Sequence, residues 1–166
     1  MKFLPPDFDL TGDYSEDVVL SAMLSKPKAS VQYFWIPGEP IPNARARTVC
    51  KHGKTWSFTP KTTIHAKNRI YAAVMNQGPV RFPPPFSVAI KFICQRLKTI
   101  YEQYPVAPSH GDCDNLQKLC LDALFSDKKT MPPFPFPDDR YITDCFTFKR
   151  FPNPGEEPGI KLWLIK

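Results

Sequence analysis

Glycine is scarce in this chain, with seven residues against twenty prolines. That balance excludes flexible Gly-rich linkers and implies stiff, extended connections with many turns. The five cysteines (Cys50, Cys94, Cys113, Cys120 and Cys145) are an odd number and lack any CxxC spacing. A disulfide framework is therefore not indicated, and Cys50-x-His52 and His110-x-x-Cys113 are poor spacings for zinc. No apolar run follows a basic start, because Pro5, Pro6, Asp7 and Asp9 interrupt Met1–Leu10. The expectation is no signal peptide, no membrane span, and reduced thiols in an intracellular compartment. Internal repeats are absent.

What is present fits one domain with a short appendage. A chain of 166 residues, 42% hydrophobic and 23% charged, can bury an ordinary core. The net charge of +6 is unevenly spread. Residues 1–30 hold three basic and five acidic side chains, net −2, and the rest carry 19 basic and 11 acidic, net +8. A domain this basic attracts polyanions, of which nucleic acid is the commonest.

Residues 1–30 read as the appendage, with a short helix over Ser15–Leu24 capped by Ser15. The domain proper spans 31–166. It opens with a strand, Val31–Ile36, stopped by Pro37-Gly38, and a loop follows over Glu39–Lys54. Thr59 as cap and Pro60 at the first helical position start a helix that runs to about Asn76. Ile64, Ile70, Ala73 and Val74 form its apolar face. Pro83-Pro84-Pro85 leads to a second strand, Phe86–Ile93, with period-2 alternation. A second helix over Cys113–Phe125 buries Leu116, Leu119, Cys120, Ala123 and Leu124, which recur at helical spacing. After a Phe- and Pro-rich loop, 128–137, come strands at Tyr141–Arg150 and Ile160–Ile165. The order β-α-β-α-β-β makes this an α+β domain, a small mixed β-sheet packed with two main helices.

Seven of the domain's eleven acidic residues, all aspartate, fall between 112 and 144: Asp112, Asp114, Asp122, Asp127, Asp138, Asp139 and Asp144. Clustered like charges repel unless a cation sits among them, and hard carboxylate oxygens suit Mg²⁺ or Mn²⁺. Asp112 would precede the second helix and Asp114 sit in its first turn, where the helix dipole favours negative charge. Asp114, Lys118 and Asp122 then share one stripe at i, i+4 and i+8, opposite the apolar face. Asp138-Asp139 is expected at the mouth of the third strand, within reach of the head of that helix. Each feature alone is ordinary: a turn, a solvated helix face with Lys118 pairing Asp122, a second turn. Their conjunction points to a metal site.

These residues also carry a resemblance. Asp112-Cys-Asp-Asn-Leu-Gln-Lys118, Leu121-Asp-Ala-Leu124 and Asp138-Asp-Arg-Tyr-Ile142 resemble the D-x-D-N-L-x-K, D-A-L and D-D-x-x-I signature of the RusA family of Holliday junction resolvases. Pro37–Arg47 resembles that family's early G-x-P-x-x-x-x-R-x-R segment. The resemblance implies a homodimeric α+β endonuclease cutting opposed strands of a four-way DNA junction. It implies Asp112, Asp114 and Asp139 as metal-binding catalytic carboxylates and Lys118 as the catalytic lysine, with 5′-phosphate and 3′-hydroxyl products. This chain departs from the family in having His110-Gly111 where lysine or arginine often precedes the first aspartate. The thirteen residues between Leu124 and Asp138 make a longer stretch than usual.

Asp122 and Asp138 are then supporting carboxylates. Arg45, Arg47, Lys61, Lys67, Arg69, Arg96, Lys98, Lys149 and Arg150 are candidate phosphate contacts. Phe134 and Phe136 are candidates for core or dimer packing, or for stacking on open bases. Three alternatives stay open: a nuclease acting on flaps, forks or RNA, a branched-DNA-binding module without activity, and an assembly adaptor working through residues 1–30.

Overall fold

The computed structural model describes residues 30–78, 81, 83–98, 104–106, 108–125 and 139–166. The expected appendage, the 128–137 loop with Phe134 and Phe136, and Asp127 and Asp138 lie outside the described residues. The elements run β1 (Val31–Pro37), β2 (Arg47–Lys51), β3 (Lys54–Phe58), α1 (Lys61–Met75), β4 (Phe86–Ile93), α2 (Cys113–Leu124), β5 (Ile142–Arg150) and β6 (Gly159–Ile165). Short 3₁₀ turns at Pro108–His110 and Asp139–Tyr141 precede α2 and β5. No described helix is long and apolar enough to cross a membrane.

The expected mixed sheet is present, with strand order β1-β6-β4-β5. β6 pairs antiparallel with β1 and with β4, in registers that put Phe34 opposite Leu162 and Ile90 opposite Leu162. β4 and β5 run parallel. Because side chains alternate across a strand, Phe34 and Ile36, Val88, Ile90 and Phe92, and Ile160, Leu162 and Leu164 share one face and form the core beneath both helices. The opposite face carries Ala89 and Ile165 with Phe146, Phe148 and Trp163 half-exposed around them.

α2 buries Leu116, Leu119, Cys120, Ala123 and Leu124, the five side chains its periodicity indicates. α1 differs from expectation at its start. Pro60 is the N-cap and Thr59 lies outside the helix, since the Thr63 and Ile64 amides both donate to the Pro60 carbonyl. The buried face is Thr63, Ala66, Ile70 and Val74, which leaves Ile64 45% exposed. The residues that face the core recur three and four apart, and Ile64 is one position off that stripe.

A second correction concerns the expected loop Glu39–Lys54. Its second half forms β2, which pairs antiparallel with β3 as a two-stranded ribbon separate from the main sheet. The turn residues His52 (φ 51°) and Gly53 (φ 71°) both have positive φ, as a tight two-residue hairpin turn requires.

The turn between β5 and β6 is closed by Glu156. Its carboxylate accepts from both terminal nitrogens of Arg150, from Lys161 Nζ and from the Asn153 amide. The Arg150 guanidinium foremost holds the Glu156 carboxyl down at about 2. A depressed carboxyl contributes stability above its unfolded value, near 4.5, and that contribution fades as pH falls towards 2. Denaturant melts of Glu156→Gln against the native chain are therefore expected to differ most at neutral pH and to converge below pH 2. Burial also raises the thiols of Cys94 and Cys120 to about 12 and Cys145 to about 11. A colorimetric thiol assay on native protein should find Cys50 and Cys113, the exposed pair, reacting quickly and the other three slowly.

Candidate active site

The head of α2 is built from a glycine and a carboxylate. Gly111 enters at φ 67°, a conformation that L side chains rarely adopt, and a β-carbon there would run into the Pro42 ring. Asp112 is the N-cap in extended conformation, but its exposed side chain makes no capping hydrogen bond. The first turn then presents Asp114, also exposed.

The Pro37–Arg47 segment passes this helix head and is fastened at several points along its length. The Gly38 amide donates to the Pro158 carbonyl at 3.0 Å and the Asn43 amide to the Asn115 carbonyl at 3.2 Å. Arg69 Nη2 donates to the Glu39 carbonyl at 2.7 Å, and the Gln95 amide donates to the Glu39 carboxylate at 2.7 Å. Burial raises the Glu39 carboxyl and lowers the Arg69 guanidinium, so both are held as partly desolvated structural groups. His110 is buried as well: its Nε2 meets the Gln95 carbonyl at 3.0 Å and its ring stands edge-on to Phe151. His110, just before the first aspartate of the D-x-D motif, is thus a packing residue.

With the segment so held, a polar cavity of about 480 Å³ opens between it, α1 and α2. Asn43, Arg45, Thr59, Lys67, Asp114, Asn115, Lys118 and Asp122 line it. The Asp114–Lys118–Asp122 stripe thus faces the cavity, as helical spacing indicates. Asp122 pairs with Lys67 of α1, Nζ to Oδ2 2.9 Å, and not with Lys118. Both partners are partly exposed, so the pair adds little stability, about 0–1 kcal/mol, but it fixes where Lys67 sits.

Asp139 occupies a different place. It opens the 3₁₀ turn before β5 and is exposed, and the cavity lining includes neither it nor Asp112. The direction of β5 explains this. Lys149 Nζ donates to the Gly111 carbonyl at 2.7 Å and Thr147 to the Gln117 side chain at 2.6 Å, so the head of α2 lies by the end of β5 and not its mouth. Ile142 and Lys149 are separated by about 23 Å along the strand, at ~3.3 Å per residue. Among the described residues no three His, Cys, Asp or Glu side chains converge to hold a metal ion. The carboxylates Asp114 and Asp122 have the hard-oxygen chemistry Mg²⁺ favours, yet the described residues do not close a complete ligand shell.

The candidate phosphate contacts divide by what they touch. Arg45 and Lys67 line the cavity, and Arg47, Lys61 and Lys98 are exposed. Lys149 and Arg69 hold backbone carbonyls, and Arg150 holds Glu156. The Arg96 guanidinium lies 4.0 Å over the Phe151 ring. Asn43, Thr59 and Asn115 join the cavity without having been singled out from sequence. Asn115 stands inside the D-x-D-N-L-x-K motif, the signal that marks it.

Residues 37–163 match the family described as Endodeoxyribonuclease RusA. The chain belongs to the RusA endodeoxyribonuclease family. The match takes in the fastened 37–47 segment, α2, β5 and most of β6, so the RusA-family region contains every wall of the cavity. Comparison with individual curated proteins returned no match.

The Gly111–Pro42 contact makes a direct prediction. Gly111→Ala is expected to cost about 1–2 kcal/mol from the left-handed backbone alone, with the clash against Pro42 in addition. Chemical denaturation measures the loss, and faster amide exchange at Asn43 would report that the segment has lifted from α2.

Proposed function

We propose that this chain is a Mg²⁺-dependent, structure-specific endodeoxyribonuclease that resolves four-way DNA junctions by paired cuts, acting in recombination and repair as an intracellular homodimer. Family membership supports junction resolution, and one observation carries the site. Asp114 and Lys118, both within the D-x-D-N-L-x-K motif, share one polar cavity with Arg45 and Lys67. Asp112 and Asp114, neighbours at the head of α2, are the proposed metal ligands, with Mn²⁺ as an acceptable substitute and Asp122 and Asp138 in support; Asp139, the third ligand that the resemblance implies, stands at the other end of β5 within one chain. Such an ion, when bound, supplies Lewis-acid charge and acidifies a water.

The chain's own residues have a separate task. A phosphodiester in the cavity meets three cations, Arg45, Lys67 and Lys118, around an anion that gains charge as bonds to phosphorus change. Lys118 sits one helical turn from Asp114 and is the proposed catalytic cation. Asp122 holds Lys67 in place through their ion pair. Arg47, Lys61 and Lys98 are the proposed backbone contacts beyond the cavity, since Arg69, Lys149 and Arg150 already hold the protein's own groups. Two opposed cuts need two sites, and a nearly two-fold junction suits a homodimer.

A nicking assay on a four-way junction, a matched duplex and a flap, with Mg²⁺ or with chelator, tests this. Symmetric paired cuts on the junction are expected, abolished by chelator and by Asp114→Asn, and slowed about 10²-fold or more by Lys118→Ala. Equal cleavage of all three substrates would indicate a general nuclease. Tight junction binding with no cleavage under either metal would indicate a binding module.

A further inference from the structure

We propose that the β2–β3 ribbon is a second DNA-contacting element, which grips the DNA beside the cavity through Lys51 and Lys54 at its tip and stacks Trp56 on an exposed base. The inference rests on the nuclease reading and adds to it the surface that holds the substrate.

Arg45 and Ala46, which lead into β2, and Thr59, which follows β3, line the cavity. The ribbon therefore springs from the cavity rim, and DNA bound there has to pass it. The ribbon pairs with no strand of the main sheet, and every residue in it is exposed except the half-exposed Val49. A two-stranded hairpin on its own is marginal in water, so one this exposed is suited to packing on something else. A two-stranded ribbon also has the width that a DNA major groove admits.

The two faces differ in chemistry. Register pairs Thr48 with Ser57 and Cys50 with Thr55 on one face, where the Thr48 and Ser57 hydroxyls meet at 2.9 Å. The other face pairs Arg47 with Phe58, Val49 with Trp56 and Lys51 with Lys54. Trp56 is 46% exposed and Phe58 43%, so two aromatic rings and the cations Arg47, Lys51 and Lys54 share one open surface. Sequence-tolerant nucleic-acid grips combine these two ingredients, cations for phosphate and rings for bases.

Charge selects the occupant. Directly opposed like charges destabilise a strand pair, so Lys51 against Lys54 at the tip is a repulsion that a bound phosphate would relieve. No carboxylate counters it from nearby in sequence, because the chain has no aspartate or glutamate between Glu39 and Glu102. A second copy of the chain, net +6, brings the same sign.

The test uses the full chain and a labelled four-way junction in chelator, so that binding is read without cleavage. Fluorescence anisotropy is recorded across a salt series for the native protein, Lys51→Ala/Lys54→Ala, Trp56→Ala and Thr55→Ala, each checked for an unchanged thermal melt. Removing two phosphate contacts should flatten the slope of log K against log salt by about 1.8, at ~0.9 per contact. Trp56→Ala should weaken junction binding by about tenfold, and the tryptophan emission of the native chain should quench on binding. Thr55→Ala, on the other face, should bind as the native chain does. Native binding with unchanged affinity and slope in both ribbon variants overturns the ribbon assignment and leaves the nuclease reading standing. A native chain that binds no junction overturns both.

Discussion

Parallel pairing of β4 with β5 is the constraint from which the site follows. Antiparallel neighbours can be joined by a tight turn, whereas parallel neighbours need a crossover that covers one face of the sheet. Here the crossover carries α2, and its apolar side packs onto Val88, Ile90, Phe92 and their neighbours. Five buried side chains on a twelve-residue helix leave one polar stripe pointing away from the sheet, and Asp114, Lys118 and Asp122 occupy it. α1 packs alongside and supplies Lys67. A helix that the fold requires for connectivity thereby becomes the wall of a polar cavity.

The second determinant is how the 37–47 segment is fastened. Pro42 needs Gly111 to be glycine, Asn43 is tied to Asn115, and Glu39 is gripped by Arg69 and Gln95. These contacts consume arginine and carboxylate groups that would otherwise look functional. They also set the direction in which Arg45 enters the cavity and in which the ribbon leaves it. The basic character of the domain therefore has two parts. Some cations hold the fold, such as Arg69 and Arg150, and others face solvent around the cavity, such as Arg45, Arg47 and Lys61.

Legibility from sequence followed the strength of the local pattern. The α2 face was readable because Leu116, Leu119, Cys120, Ala123 and Leu124 repeat at helical spacing with nothing competing. β1, β4, β5 and β6 were readable as β-branched and aromatic runs between prolines. α1 was harder, since Thr63 is buried and Ile64 is not, which is the reverse of their hydrophobicity. The ribbon was hidden by its polar face and its Pro-rich lead-in, although His52-Gly53 between β-formers was a usable signal. Asp122 read as a partner of Lys118 because i,i+4 spacing is visible within one helix, while Lys67 on a neighbouring helix is not.

By itself the sequence determined the order of the four main-sheet strands and two helices, the apolar face of α2, the motif that places the chain in its family, and the sharing of one helix stripe by Asp114, Lys118 and Asp122. Those follow from short-range periodicity and residue chemistry. Only the tertiary structure decided that Lys67 and Arg45 join that stripe, that His110 is a packing residue, and that Asp139 stands before the start of β5, away from the helix head. These depend on strand direction and helix packing, which bring together residues far apart in the chain and which no local pattern encodes.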